Sequence, residues 1–144
     1  MRKIFVAVVT ITFLMSCATS KTTSSKKNLI EVGIDLNTVV DDRIQVFVNP
    51  QKIKEETIVY QMPSIVPGTY VISDYGQFIS DFKAYDYKGN ELTVEKLDTN
   101  SWQINDAKKM DKVSYWVDDT FDAKEKHNVY VMAGTNIEEG KNFF

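Results

Sequence analysis

The chain has 144 residues, with 17 Lys and Arg, 20 Asp and Glu and one His, for a formal net charge of −3. An acidic balance offers no basic face to neutralise phosphates, so nucleic acid is excluded as a partner. A lone cysteine, Cys17, excludes an intramolecular disulfide and a thiolate metal cluster.

The first element is a targeting segment. Arg2 and Lys3 stand ahead of the mostly apolar run Ile4 to Met15, and Leu14-Met15-Ser16-Cys17 follows at once. A charged start, a short apolar stretch and small residues before a cysteine describe a lipoprotein signal peptide over residues 1–16. The run is shorter than the roughly 20 apolar residues needed to span a ~30 Å hydrocarbon layer, and Thr10 and Thr12 interrupt it. Cys17 is therefore the expected lipidation site, and the membrane the first expected partner. Ala18 after it, rather than an acidic residue, points to an exported protein on the outer membrane facing the periplasm.

Residues 17–28 contain Thr19-Ser20-Lys21-Thr22-Thr23-Ser24-Ser25, with Lys26 and Lys27. Such a stretch cannot bury enough apolar area to offset its ordering entropy, so it reads as a tether.

From Leu29 the hydrophobic period is two. Ile30, Val32, Ile34 and Leu36 alternate with polar residues or glycine, and Ile44, Val46 and Val48 repeat the pattern. Further strands are predicted over Thr57–Met62, Phe78–Tyr87, Glu91–Leu97, Trp102–Ile104 and Val113–Val117. Lys88-Gly89-Asn90 supplies a hairpin turn and Pro67-Gly68 the central pair of a type II turn. Strands spaced about ten residues apart, with no long helical pattern, predict an all-β antiparallel sandwich over residues 29–144.

Clustered aromatics are the main candidate for binding. Phe78, Phe82 and Trp102 are expected in the core. Tyr85 and Tyr87 share a parity and Trp116 opposes Tyr115, so Tyr85, Tyr87 and Trp116 are candidate outward residues. Phe143 and Phe144, at the end of the given sequence, join them as a possible docking surface.

The catalytic constellations are thin. His127 has no second histidine to share a metal, and no Gly-x-Ser-x-Gly turn exposes a serine to it. Asp118, Asp119 and Asp122 lack the spacing of a calcium loop and read as an acidic turn.

Several of these blocks together resemble a known family. Pro63-Ser64-Ile65-Val66-Pro67-Gly68-Thr69-Tyr70, Asp74-Tyr75-Gly76, Phe82-Lys83-Ala84-Tyr85-Asp86 and Asp98-Thr99-Asn100-Ser101-Trp102 look like the amino-terminal β domain of the glycyl aminopeptidase family, metallopeptidase family 61. Ile65 stands where members commonly carry tryptophan. The resemblance implies a zinc peptidase domain with an H-E-x-x-H motif further along. Two imidazoles four residues apart bind one zinc there, and the glutamate between them acts as general base. The motif is absent from this chain, so no catalytic residue and no cofactor are expected on it, and zinc belongs to the missing domain. The expected function is a non-catalytic accessory domain, truncated or split from an exported zinc aminopeptidase and partnered by its catalytic domain. The alternative is a stand-alone lipoprotein module that binds a peptide or glycan.

Overall fold

The structure, a computed structural model, describes residues 29–68 and 70–121 together with Val129 and Thr135. Eight strands form within that region: β1 (Glu31–Val39), β2 (Arg43–Asn49), β3 (Ile58–Gln61), β4 (Ile79–Asp86), β5 (Glu91–Leu92), β6 (Val94–Lys96), β7 (Ser101–Ile104) and β8 (Met110–Asp118). Single 3-10 turns cover Tyr75–Phe78 and Ala107–Lys109. The strands make two sheets, β1-β2-β8-β4-β5 and β3-β7-β6, with every pairing antiparallel. The all-β sandwich read from the sequence is therefore the observed fold.

Period-two sequence makes the core. Ile44, Val46 and Val48 of β2 lie opposite Val117, Tyr115 and Val113 of β8, and all six point toward the second sheet. Ile44, Ile104 and Val113 are almost wholly removed from solvent. Each such side chain contributes about 1.5–3 kcal/mol through burial.

Aromatic rings join the sheets. Phe82 of β4 stacks on Trp102 of β7 at 4.9 Å and on Tyr115 of β8 at 5.8 Å, and meets Tyr60 of β3 at 5.2 Å. The Tyr60 and Tyr115 hydroxyls lie 3.4 Å apart. Burial pushes the Tyr115 hydroxyl well above the ordinary tyrosine range, so it stays protonated.

Phe82 reaches this position through a β-bulge. The β4–β8 register slips by one residue between Ser80, opposite Trp116, and Lys83, opposite Ser114. Asp81 supplies the extra residue in a left-handed conformation, φ 48°. Strict alternation from the inward Ile79 would turn Phe82 out to solvent; the bulge turns it in. Aspartate suits the role because it tolerates positive φ better than most residues.

The Glu91–Leu97 segment, expected as one strand, is two. Its first part pairs with β4 as expected, with Leu92 opposite Ala84. After Thr93 the chain crosses to the other sheet, where Val94 lies opposite Ile104 and the Thr93 carbonyl accepts the Asn105 N–H at 3.0 Å. Leu92 and Val94 both pack against the core, which a strand switching sheets allows. The turn before it is held by Asp86, whose Oδ1 accepts the Lys88 and Asn90 N–H groups, each at 2.8 Å. Gly89 takes φ 83° there.

β1 keeps its alternation without matching burial. Val32 and Ile34 lie opposite Val48 and Val46, yet Val32 is 60% exposed and Ile34 47%. The facing sheet is three strands wide, and the core it covers is centred on β2, β8 and β4.

The Pro63–Phe78 connection is tied down by backbone and by one side chain. The Ser64 carbonyl accepts the Ser73 and Asp74 N–H groups at 2.8 and 2.9 Å, and the Pro63 carbonyl accepts that of Tyr75. Gly68 has φ 95°, as the Pro67-Gly68 turn requires. Asn100 completes the tie: its Oδ1 accepts the Gly76 N–H and its Nδ2 donates to Asp74 Oδ1, both at 2.9 Å. Gly76 is buried against this turn, and a Cβ there would strike the Thr99 carbonyl and lie 2.7 Å from the Asn100 Cα. Gly76→Ala should therefore destabilise the domain by about 3 kcal/mol, the upper end of ordinary overpacking, because rigid backbone must yield. Urea unfolding with an unchanged m-value would measure it, and a loss below about 1 kcal/mol would show that the turn is slack.

Candidate functional site

The face of the five-stranded sheet that points away from the second sheet carries the most developed constellation. Outward positions alternate with core positions along three adjacent strands. Arg43, Gln45 and Phe47 come from β2, Lys112, Ser114 and Trp116 from β8, and Ser80, Lys83 and Tyr85 from β4. Trp116 lies between Gln45 and Ser80, Ser114 between Phe47 and Lys83, and Lys112 opposite Tyr85.

Cations sit on the rings. Lys112 Nζ is 5.7 Å from the Phe47 ring centre and 5.8 Å from that of Tyr85, and the Arg43 guanidinium is 5.7 Å from that of Trp116. At exposed sites such contacts are worth about 0.5–1 kcal/mol each. The long side chains also roof Ser114, which is only 3% exposed although it belongs to the outer face.

Three carboxylates border the patch, Asp41, Asp81 and Asp118. Asp81 lies 3.2 Å from Lys83 and raises the lysine pKa above its ordinary value. Arg43 donates to Ser80 Oγ at 3.3 Å, pairs with Asp41 at 3.5 Å and lies across from Asp118 in the register. Burial lifts the Asp118 carboxyl above the usual carboxylate range, against the opposing pull of Arg43 and Ser80, and its Oδ1 is buried with no hydrogen-bond partner among the described residues.

The face offers flat apolar rings, fixed cations and hydroxyls and, among the described residues, no nucleophile paired with a base. Among the described residues no three His, Cys, Asp or Glu side chains gather as a metal site.

The structure places Tyr85 and Trp116, both expected outward, on this one face. Tyr87, also expected outward, is 63% exposed in the turn just beyond β4. Cys17, His127, Phe143 and Phe144 lie outside the described residues. Asp119 accepts the Phe121 N–H within its own turn. Phe47, Arg43 and Lys112 escaped the sequence reading. The signal was present, since Phe47 falls at the outward parity of β2, but a phenylalanine in a strand is expected inside.

The described residues thus form a two-sheet sandwich with an aromatic outer face. Residues 31–144 match the Peptidase M61 N-terminal domain, and the chain belongs to that family. The match is to the accessory domain of the peptidase family and not to its catalytic domain. An aminopeptidase N family protein from Idiomarina loihiensis has a similar structure, with TM-score 0.56 and 24% identity. The similarity covers 63% of this chain and 15% of that one, so the chain spans a small part of the neighbour's length. A search of curated proteins finds no match.

The Asp118 environment has a pH signature. A carboxyl raised by burial contributes stability at pH below its unfolded pKa, and that contribution is lost as pH rises through the folded value. Asp118→Asn removes the ionisation. Relative to wild type, the variant should gain stability progressively as pH rises through the carboxylate range into neutrality. Thermal unfolding of both proteins between pH 4 and 7 gives the difference; a gap that shrinks toward neutral pH would mean that Arg43 outweighs burial.

Proposed function

We propose that this chain is the non-catalytic amino-terminal accessory domain of an exported zinc aminopeptidase-like protein, present as a truncated or split piece. Its job is to pack against the peptidase domain and help shape it. The observation that carries this reading is the match of residues 31–144 to the amino-terminal domain of a peptidase family, beside a neighbour of which the chain covers 15%. Zinc belongs to the catalytic domain and this chain takes none.

The outer face of the five-stranded sheet is the proposed contact surface. Aromatics and arginine are the residues that most often anchor protein interfaces, and Trp116, Tyr85, Phe47 and Arg43 share it. Trp116→Ala with Tyr85→Ala should weaken binding to a separately expressed family catalytic domain at least about 10-fold, with the circular dichroism spectrum unchanged. Calorimetric titration measures it. Unchanged affinity would move the contact elsewhere, and no binding by wild type, with affinity for a free peptide or glycan instead, would favour a stand-alone binding module.

Export and anchoring rest on Arg2, Lys3, the Ile4–Met15 run and Cys17. The mature protein is held by lipidated Cys17 in the outer membrane, facing the periplasm, with residues 17–28 as its tether. Cys17→Ala should abolish incorporation of a fatty-acid analogue in growing cells, because the acyl acceptor is gone. Equal label on mutant and wild type would refute lipidation.

A further inference from the structure

Strand β8 lines an inter-sheet cavity on one side and the ring–cation face on the other, and the second side holds a charge without a partner. Arg43 is paired with Asp41 at 3.5 Å and Lys83 with Asp81 at 3.2 Å. Lys112, on the middle strand, forms no ion pair among the described residues, not even with Asp111 beside it in the chain. Its ammonium lies instead against the rings of Phe47 and Tyr85, at 5.7 and 5.8 Å. Farther across the sheet, Glu91 stands opposite Tyr85 on β5 and Glu31 opposite Asn49 on β1, each two strands from β8. With strands about 4.8 Å apart that is about 10 Å, near the Debye length in physiological salt, so neither neutralises the ammonium.

That isolation constrains what can cover the face. Lys112 is half-buried between its rings, so a partner that seats on Phe47 and Tyr85 also strips the remaining water from the ammonium. Burying an unpaired charge is strongly unfavourable, and two ring contacts do not offset it. Arg43 and Lys83 carry their own carboxylates into such a contact, whereas Lys112 brings none. The partner must therefore supply one.

We propose, resting on the packing of the peptidase domain against this face, that Lys112 is the specificity-determining residue of the contact and that the peptidase domain meets it with an aspartate or glutamate side chain. An ammonium offers three donors and a carboxylate two acceptor oxygens, so the pair satisfies itself inside the contact. A surface without the acid is rejected because it would leave Lys112 buried and unpaired, which is discrimination by desolvation rather than by shape.

Calorimetric titration of the full chain with a separately expressed family catalytic domain tests this, with Lys112→Met, Lys112→Glu and the paired Trp116→Ala and Tyr85→Ala substitutions. Lys112→Met keeps an apolar stem over the rings and removes the charge. It should weaken binding at least about 30-fold, the loss that follows truncating one partner of a buried charge pair. Lys112→Glu should weaken it further, because two carboxylates then face each other. Thermal unfolding should be unchanged in both. A smaller loss for Lys112→Met, or a gain, beside an aromatic pair that does weaken binding would overturn the acid opposite Lys112 and leave the contact surface standing. Tighter binding by Lys112→Glu than by Lys112→Met would overturn it as well. No binding by wild type would remove the contact itself, and this pairing with it.

Discussion

The packing of Phe82 between the sheets is the contact on which the rest of this domain depends. Its ring touches Tyr60 and Trp102 of the three-stranded sheet and Tyr115 of its own. No other described aromatic contact gathers rings from four strands. Offset and tilted ring pairs are worth about 0.5–1.5 kcal/mol beyond their area, so three at one side chain are a sizeable share of a domain's usual 5–15 kcal/mol margin. Tyr60 and Phe82 of the quartet also pack against the core cluster that holds Tyr115, Val46, Val113 and Ile104.

That contact exists because β4 breaks register at Asp81, and the break has a second consequence. The slip that turns Phe82 inward leaves Lys83 and Tyr85 on the outside, opposite Ser114 and Lys112. Without it the strand beyond residue 81 would present the opposite set of side chains to each face. The inter-sheet core and the aromatic–cation surface thus share one cause, an aspartate in a left-handed conformation. The strain is of a kind that costs on the order of 1–3 kcal/mol for most residues and less for aspartate. Removing it would disturb both faces at once.

Alternation made the strands legible in the sequence. β2 and the Val113–Val117 part of β8 were readable, because their inward residues are apolar and unbroken over several pairs, whereas the start of β8 at Met110 fell in a polar stretch. Gly68 and Gly89 marked turns because positive φ there admits little else. What alternation could not show was where a strand changes partner. Glu91–Leu97 reads as one strand because Leu92 and Val94 keep parity and both face the core, yet each belongs to a different sheet. Nor could it show how far the second sheet extends, so the apolar row of β1 looked like core and is exposed. The outer face was half legible. Tyr85 and Trp116 follow from parity, whereas Phe47 and its Lys112 roof needed the strand order β2-β8-β4, which no local pattern encodes.

Strand β8 connects the two surfaces described above and keeps them separate. Tyr115 and Val117 face the inter-sheet cavity, while Ser114 and Trp116 face outward, so adjacent residues on one backbone serve opposite sides. A pleated strand held on both edges by β2 and β4 transmits little rotation from one side chain to the next. The other wall of the cavity is the Pro63–Phe78 connection, which supplies Pro63, Val66, Tyr75 and Phe78 and is fastened by Asn100 to the turn before β7. That connection contains the Pro67-Gly68 turn, with Gly68 at φ 95°. The inter-sheet cavity is thus shaped by connection residues as much as by strands, while the ring–cation surface across the sheet is built from strand positions alone, so the two sides of β8 depend on different parts of the chain.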